Sequence, residues 1–328
     1  MSSNEIRALF NDGNGGLWIG VETYGGQPGL VHRSANNDWT VYKSPELPVF
    51  SVYSLSSDDS KGLWIGTENG LVYRSASGEW TIYNTNNSQL PVNHINALSN
   101  DGSNGLWIGT DNGLVYRSAS GEWTIYNPNN SDLPYHGISS LVSDSHGGVW
   151  VGTHWGGLAY RNVNGQWMIF DDPPDSRITT LLSDSREGLW IGSQNGLTYR
   201  HDNNELTVYE PEQTALPLNL GTALARDSLG GLWIGTPWSG LVQYTTTSEW
   251  KYYDPYDFGL SIQDGGEGIS SLLGDKQGGL WIGTGTDLAY RSVNGNWTIY
   301  QSDLPKNFIQ ALESDGNNGL WIGTSGGG

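Results

Sequence analysis

The sequence GLWIGTENGLVYRSASGEWTIYN, residues 62–84, returns nearly unchanged as GLWIGTDNGLVYRSASGEWTIYN at residues 105–127. Looser copies recur along the chain, and each contains one Trp in a Leu-Trp-Ile-Gly box or its equivalent: Trp18, Trp64, Trp107, Trp150, Trp190, Trp233, Trp281 and Trp321. The steps between these Trp residues are 46, 43, 43, 40, 43, 48 and 40 residues. A period of this length with strand-like content indicates a propeller or a solenoid array.

Each repeat predicts four short strands. The first has the pattern Ile-x-Ala/Ser/Thr-Leu and ends at an Asp, and the next three read Leu-Trp-Ile-Gly-Thr, Leu-Val-Tyr-Arg and Trp-Thr-Ile-Tyr. Asn-Gly joins the second and third strands in three repeats and is the strongest short hairpin signal. A single such meander cannot bury both faces, so we expect the sheets to pack on one another in a closed ring. The sequence therefore predicts an all-β protein, a β-propeller of four-stranded antiparallel blades.

The blade number has two interpretations. We expect one domain over residues 1–328, with repeats that begin near 6, 52, 95, 138, 178, 221, 269 and 309. The first seven repeats are complete, and the eighth contains only its first two strands, through Thr324. Either a two-stranded eighth blade closes the ring, or seven blades close and the last two strands are surplus. The eighth unit keeps the buried-type positions of the repeat, which a surplus segment would expose, so eight blades are favoured.

Composition excludes several function classes. With 15 basic and 34 acidic residues, the formal charge of −19 repels phosphate backbones and argues against a nucleic-acid partner. The chain has no Cys, so it forms no disulfide and no Cys-based metal site. We expect no cofactor, no signal peptide and no membrane insertion in this chain.

The pattern D-x-x-G-x-L-W-I-G-T-x-x-G-L resembles the repeat of two-component regulator propellers, the ligand-binding sensor heads of some bacterial hybrid histidine kinases. The resemblance covers essentially the whole chain. It implies a sensor propeller in the periplasm or outside the cell, but the shared residues are those that build blades. The sequence lacks a membrane helix, a kinase segment and a response-regulator segment, as expected of a lone propeller or of one cut from a longer receptor.

Most of the repeated side chains are interpreted as structural. Fourteen of the 16 Trp occupy two repeat positions, the eight above and six that begin fourth strands: Trp39, Trp80, Trp123, Trp167, Trp250 and Trp297. We expect them to pack between blades. An Arg ends the third strand in six repeats, and we expect it to be paired or stacked on Trp: Arg33, Arg74, Arg117, Arg161, Arg200 and Arg291. The Asp that closes each first strand is interpreted as a turn residue and not as a calcium ligand.

Functional residues are expected where the repeats differ. The turns between strands two and three should open on the same face as the links that enter each first strand, and that face is the usual ligand mouth. Two of these turns gain an aromatic residue at equivalent positions, Trp155 and Trp238, and a longer insertion carries Tyr24. Exposed aromatic rings on such loops suit stacking against a sugar or another flat apolar face. The alternative is that they only cover the end of the ring.

The entering links add a variable polar set over a nearly invariant frame, which is how a binding site is built on a repeat fold. Ordinary loop variation is the alternative. The predicted ligand-binding residues are Tyr24, Asn93, His94, His136, His154, Trp155, Arg177, Trp238 and Glu267.

The sequence favours a non-catalytic module that binds a small molecule or a glycan at the mouth of the central channel. A protein-interaction scaffold is the first alternative. A propeller lyase or hydrolase is the second, with His94, His136 and His154 as bases or metal ligands and Glu267 as an acid. No catalytic residue has the spacing of a known motif, which disfavours the enzyme.

Overall fold

The computed structural model describes residues 5–22, 29–36, 38–42, 51–58, 60–144, 146–170, 177–184, 188–193, 196–203, 205–209, 223–236, 240–254, 257, 259–260, 268–285, 287–300, 309–315 and 319–324. Within these ranges the chain forms 30 β-strands. No helix that is long and apolar enough to cross a membrane occurs in this part of the chain.

The strands form seven four-stranded antiparallel sheets and one two-stranded sheet, in chain order. Blade 1 contains β1 (Glu5–Asn11), β2 (Leu17–Glu22), β3 (Leu30–Arg33) and β4 (Trp39–Tyr42); blade 2 contains β5 (Val52–Ser57), β6 (Leu63–Thr67), β7 (Gly70–Arg74) and β8 (Trp80–Tyr83); blade 3 contains β9 (Ile95–Asn100), β10 (Leu106–Thr110), β11 (Gly113–Arg117) and β12 (Trp123–Tyr126); blade 4 contains β13 (Ile138–Ser143), β14 (Val149–Thr153), β15 (Leu158–Arg161) and β16 (Trp167–Phe170).

The second half of the chain repeats this arrangement. Blade 5 contains β17 (Ile178–Ser183), β18 (Leu189–Ser193), β19 (Gly196–Arg200) and β20 (Leu206–Tyr209); blade 6 contains β21 (Ala223–Arg226), β22 (Leu232–Thr236), β23 (Gly240–Tyr244) and β24 (Trp250–Tyr253); blade 7 contains β25 (Ile269–Gly274), β26 (Leu280–Thr284), β27 (Leu288–Arg291) and β28 (Trp297–Tyr300); blade 8 contains β29 (Ile309–Ser314) and β30 (Leu320–Thr324).

The Asn-Gly turns need glycine for a local reason. Gly70 and Gly113 have φ values of 134° and 124°, in the region that side chains rarely adopt. A Cβ at Gly113 would also lie 2.5 Å from the carbonyl oxygen of Tyr126. The preceding Thr fixes the turn, because Thr110 Oγ1 donates to the carbonyl oxygen of Gly113 at 2.8 Å.

Blade 8 closes the ring. The first strands of neighbouring blades contact one another around the axis, and β29 packs against both β25 and β1. In seven blades the Gly of the second strand lies against the residue that opens the next blade: a Cβ at Gly109 would be 2.7 Å from Ile138 Cγ2, and one at Gly323 would be 2.6 Å from Ile6 Cγ2. Through its two strands blade 8 therefore contacts blade 1 as the first two strands of other blades contact their successors, and the prediction of eight blades is confirmed.

The repeated Trp and Arg residues join neighbouring blades. The second-strand Trp residues of blades 1 to 6 are 1–6% exposed. In six blades an Arg guanidinium lies over the Trp of the preceding blade, as for Arg117 over Trp64 at 5.0 Å, and in blade 6 Tyr244 meets Trp190 instead. The same contact crosses the ring closure, where Arg33 lies 4.3 Å from the ring centroid of Trp321. The prediction of Trp-stacked Arg is confirmed at all six positions.

One Trp departs from the structural prediction. Trp39 is 61% exposed, whereas the other five fourth-strand Trp residues are half-buried. In the other blades this Trp packs on the last aromatic residue of the preceding blade, as Trp80 does on Tyr42 at 5.1 Å. Blade 8 has no fourth strand among the described residues, so Trp39 has no such neighbour. The expectation that Trp39 packs between blades is wrong.

The Asp residues make the predicted turns and a second contact. Asp101 Oδ1 accepts from the backbone N–H groups of Ser103 and Gly105 at 2.7 and 2.8 Å. Its Oδ2 accepts from the Tyr116 hydroxyl at 2.7 Å. Four other blades form the same Tyr–Asp bond, while blade 1 uses His32 in place of the Tyr. The carboxylate thus fixes the turn and ties it to the third strand.

Candidate functional site

An open cavity of about 440 Å³ lies where the first strands begin, at the end of the ring that we call the mouth of the central channel. It draws side chains from blades 1 to 5, and its lining is Arg7, Tyr53, His94, Asn96, Ser139, His154, Arg177, Ile178 and Thr179.

β-Bulges orient five of the side chains that line this cavity. In seven blades the pairing of the first and second strands shifts by one residue immediately after the opening position, as between Ile138 and Ser140 in blade 4. The skipped residue has no partner in the ladder and is turned out of the sheet. In blades 1 to 5 this residue lines the cavity: Arg7, Tyr53, Asn96, Ser139 and Thr179.

The remaining polar residues come from the entering links and from one inner turn. Within blade 4 these two segments are joined, because the His154 N–H donates to the Gly137 carbonyl at 2.9 Å. In blade 2 the Glu68 N–H donates in the same way to the Ser51 carbonyl. The links and the turns between strands two and three therefore open on one face, as the sequence predicts.

Asp111 organises the blade 3 side of the mouth. Its Oδ2 lies 2.7 Å from His94 Nδ1, and its Oδ1 accepts from Asn96 Nδ2 at 2.8 Å. Burial raises the pKa of Asp111, but the hydrogen bonds from Asn96 and His94 outweigh this effect and leave the pKa lowered. The carboxylate is thus ionised at neutral pH and its charge is engaged by its own neighbours. The His94 ring also meets Tyr53 edge-on, with centroids 4.9 Å apart.

His154 and Arg177 form the blade 4 and blade 5 side. Burial lowers the pKa of His154, and the positive charge of Arg177 lowers it further, against a smaller opposing effect from Asp111. His154 is therefore mainly neutral at pH 7 and can donate or accept a hydrogen bond. Arg177 is exposed and permanently charged, so it supplies a cationic donor at the rim.

An exposed aromatic pair lies beside this cavity. Trp155, next to His154 in the inner turn, is 55% exposed, and Tyr135 in the adjacent link is 37% exposed. The turn packs against the link, since a Cβ at Gly156 would lie 2.7 Å from Tyr135 Cβ. Thr153 Oγ1 holds the turn by accepting from the Gly156 N–H at 2.8 Å. The ring of Trp155 is thus presented to solvent by a firmly packed turn.

The predicted site residues fall into three groups. His94, His154 and Arg177 line the cavity, and Trp155 lies next to it. Two others do not line it: Asn93 Oδ1 accepts from the Thr85 N–H of the same link at 2.9 Å, and the His136 backbone carbonyl accepts from the Gly113 N–H in the inner turn of blade 3 at 2.7 Å. Tyr24, Trp238 and Glu267 lie outside the described residues.

Sequence reasoning did not select the bulged residues or Asp111. A signal for the bulged residues was present, because the second position of the first strand varies widely beside nearly constant Ile and Leu positions. Asp111 belongs to an inner turn, where Glu68 and Gln194 stand in other repeats, so its type alone does not mark it. Within the described residues, no group of three or more His, Asp or Glu side chains is arranged to hold a metal ion.

Comparison with protein families agrees with this architecture. The family model of the two component regulator propeller matches residues 1–23, 89–112, 264–286 and 303–326, which fall on blades 1, 3, 7 and 8. The chain carries two-component regulator propeller repeats. The match at residues 303–326 includes both strands of blade 8, so the half-blade has the family pattern as well.

Solved structures share the propeller fold. The extracellular domain assigned to the hybrid two-component system BT3049 from B. thetaiotaomicron is 22% identical, with a TM-score of 0.56 over 97% of this chain and 48% of that one. The extracellular domain assigned to the one-component system BT4673 from the same organism is 18% identical, with a TM-score of 0.65 over 98% and 50%. This propeller thus spans about half the length of these two sensor domains.

The solved structure of an enzyme also shares the propeller fold. Virginiamycin B lyase from Staphylococcus aureus is 14% identical, with a TM-score of 0.62 over 83% of this chain and 91% of that one. At these identities the structural likeness shows the fold alone. Among curated proteins, the comparison finds no match.

Proposed function

We propose that this two-component regulator propeller is a non-catalytic sensor-like module that binds a small polar molecule or a glycan at the mouth of its central channel. The observation that carries the proposal is the convergence of His94, Asn96, His154 and Arg177 on one cavity of about 440 Å³. Cavities of this size suit small ligands, and a few convergent polar groups supply direction and specificity. The solvent-exposed ring of Trp155 beside the cavity supports a ligand with a flat apolar face.

The charges favour a ligand with a carboxylate. Arg7 and Arg177 both line the cavity, in a chain with a formal charge of −19. Asp111 opposes them only weakly, because His94 and Asn96 engage both of its oxygens. A guanidinium binds a carboxylate through paired hydrogen bonds, so an acidic sugar is the preferred class.

The likeness to extracellular sensor domains supports an extracytoplasmic location. In the proposed function the propeller binds its ligand outside the cytoplasm, where sensor heads of this family act. A protein partner is the alternative occupant of the same face.

The test is a binding screen with neutral sugars, uronic acids and small carboxylates, followed by calorimetric titration of any compound that raises the melting temperature. Arg177→Ala and His154→Ala should each weaken binding at least about tenfold, which corresponds to about 1.4 kcal/mol. His146→Ala, in a turn between a first and a second strand, should leave the Kd unchanged and serves as the matched control. Binding that survives both site variants would place the ligand elsewhere.

One observation favours a second candidate, a lyase. The 2.7 Å contact between His94 Nδ1 and Asp111 Oδ2 fixes an imidazole beside a carboxylate in a polar cleft, which is how a general base is oriented. Incubation of an acidic oligosaccharide with the protein, monitored at 235 nm for an unsaturated product, separates the two. Turnover that is lost in His94→Ala would favour the lyase, whereas binding without turnover favours the sensor.

A further inference from the structure

A second cavity, of about 450 Å³, lies between blades 1 and 2 at the end of the ring opposite the mouth. It is lined by the turns that follow the first strands of both blades and by Ala76 in the turn that follows β7. In an antiparallel meander these turns lie at the other end of the sheet from the turn after the second strand. We call this space the blade 1–2 cavity, and it shares no lining residue with the cavity at the mouth.

A departure from the repeat in blade 1 leaves room for this cavity. The third strand of blade 1 reads Leu-Val-His-Arg, where blades 2 and 3 read Leu-Val-Tyr-Arg. His32 keeps the contact with the turn, because its Nε2 lies 3.0 Å from Asp12 Oδ2, and its ring stacks on Trp18 with centroids 4.1 Å apart. Imidazole is smaller than phenol, so the joint between blades 1 and 2 retains space that a Tyr side chain would fill.

Lys61 lines the cavity in a backbone conformation that does not favour its side chain. Its φ of 64° lies in the left-handed region, where a Cβ is crowded by the backbone. Blade 3 has Asn104 at the equivalent position, and Asn tolerates this region. Four other blades have Gly there, with φ values of 81–91°: Gly15, Gly147, Gly230 and Gly278. In the part of the chain that the structure describes, Lys61 is thus the residue least suited to this turn, and residues held in such conformations cluster at functional sites.

Lys61 and Arg74 bring two cationic donors to the cavity. In the described chain neither side chain donates a hydrogen bond to the protein, and Arg74 Nε is buried without a partner. The Arg74 guanidinium lies over Trp18 at 5.2 Å, which occupies its face and leaves its in-plane N–H groups for an acceptor. Arg117 also has a buried Nε without a partner, so it is Lys61 that distinguishes this joint.

Two carboxylates, Asp12 and Asp58, also line the cavity, but groups of their own blades engage them. Each Oδ1 accepts from two backbone N–H groups of its turn at 2.6–2.9 Å. Asp12 Oδ2 lies against His32, and Asp58 Oδ2 accepts from the Tyr73 hydroxyl at 2.6 Å. The charged groups that remain for a ligand are therefore donors, and their complement is an anionic acceptor.

We propose that the blade 1–2 cavity binds a small organic anion, with a carboxylate, sulfonate or phosphate group on Lys61 and Arg74 and an apolar body against Phe10 and Leu63. Both apolar side chains line the cavity, so they can remove an aromatic or aliphatic body from water. A cavity of this size suits a small molecule, and a few placed polar groups give it orientation. This site does not depend on the function proposed for the mouth.

Calorimetric titration with small aromatic anions tests the proposal. The probes are benzoate, phenyl phosphate and 1-naphthalenesulfonate; benzamide and benzyl alcohol are neutral controls, and sodium sulfate supplies an anion without an apolar body. At least one of the three probes should bind, and the neutral controls and sulfate should bind at least about tenfold more weakly. The proposal is overturned if none of the probes binds, or if a neutral control binds as tightly as the best probe.

Two variants that restore the residues of the repeat localise the site. Lys61→Gly removes the ammonium group and relieves the left-handed conformation, so it should weaken binding of the best probe at least about tenfold while the melting temperature stays the same or rises. His32→Tyr fills the space beside Asp12, so it should also weaken binding without lowering the melting temperature. Lys61→Arg keeps the charge and should retain binding.

Two control variants separate this site from the rest of the protein. Lys276→Gln removes the same charge from the corresponding turn of blade 7, and Arg177→Ala removes a cation from the mouth, so both should leave the Kd unchanged. The proposal is overturned if Lys276→Gln weakens binding as much as Lys61→Gly does, because the effect would then be one of net charge. It is also overturned if Arg177→Ala abolishes binding, which would place the probe at the mouth. A markedly lower melting temperature of Lys61→Gly would overturn it as well, because Lys61 would then be a structural residue of its turn.

Discussion

Replacing Trp107 with Ala should destabilise the propeller much more than replacing Trp39 with Ala. Trp107 is 3% exposed, contacts Tyr116 with tilted rings whose centroids are 4.5 Å apart, and lies beneath Arg161 at 5.6 Å. A buried Trp removes about 150–250 Å² from water, which is about 4–6 kcal/mol as an upper bound. Large-to-small substitution in a core typically costs about 3–5 kcal/mol, and we expect that range for Trp107→Ala. Trp39 is 61% exposed, so about two fifths of that cost applies and its replacement should cost about 1–2 kcal/mol.

Scanning calorimetry measures the difference. At about 2.1 cal/mol/K per residue, the unfolding entropy of 328 residues is about 0.7 kcal/mol/K, so 1 kcal/mol shifts the melting temperature by about 1.5 °C. Trp107→Ala should therefore lower the melting temperature by about 4–7 °C, and Trp39→Ala by about 2–3 °C. The two substitutions remove the same type of side chain, so the difference between them measures the contribution of packing against the neighbouring blade. Equal shifts would refute the argument that the inter-blade contact sets the stability.

Three further predictions follow from the same contacts. Gly323→Ala and Gly109→Ala each place a Cβ within 2.7 Å of the Ile side chain that opens the next blade. Both should lower the free energy of unfolding by about 1–3 kcal/mol, measured by thermal unfolding. An unchanged stability of Gly323→Ala would contradict closure of the ring by blade 8. Burial and the hydrogen bond to Asp raise the pKa of Tyr73, Tyr116 and Tyr290 to about 12. These pairs therefore stabilise the fold below pH 10 and lose that contribution as the pH rises towards 12. Tyr73→Phe should reduce the decrease in melting temperature over this pH range, and an unchanged decrease would exclude Tyr73 ionisation as its cause. Lowering the pH from 7 to 5.5 should strengthen binding of an acidic sugar at the mouth because His154, whose pKa is lowered, gains charge only on acidification; titration of His154→Gln should lack that increase.

The blade architecture was predictable because its causes are local and repeated. Asn-Gly specifies the inner turn, the Asp specifies the outer turn, and alternation in short strands specifies the meander. Eightfold repetition of the Trp position then gives the number of units. The second contact of the Asp could not be predicted from sequence. Its donor is a Tyr 15 residues away, as for Tyr116 and Asp101, and the two meet only when the third strand folds back beside the turn that follows the first strand.

The site was less predictable because its residues come from different blades. His94, His154 and Arg177 were identified from loops that differ between repeats, and the structure brings these three to one cavity. Arg7 and Tyr53 are contributed by bulges, and a bulge depends on how two strands pair and not on which residue is skipped. Asn93 and His136 lie in the same kind of entering link as His94 and Arg177, but neither lines the cavity: Asn93 bonds within its link, and the His136 carbonyl bonds to the inner turn of blade 3. Position in the repeat therefore predicts the face of the ring but not which side chains line the cavity.

The arginines show how the fold separates structural from functional residues. Six occupy the third-strand position and lie over the Trp of the preceding blade, so their charge is committed to the joints of the ring. Arg7 and Arg177 stand outside that position and both line the cavity at the mouth of the channel, whereas Arg226 of blade 6 does not. In a chain this acidic, two guanidinium groups on one cavity raise the local positive potential. Departures from the repeat therefore set the charge of the mouth.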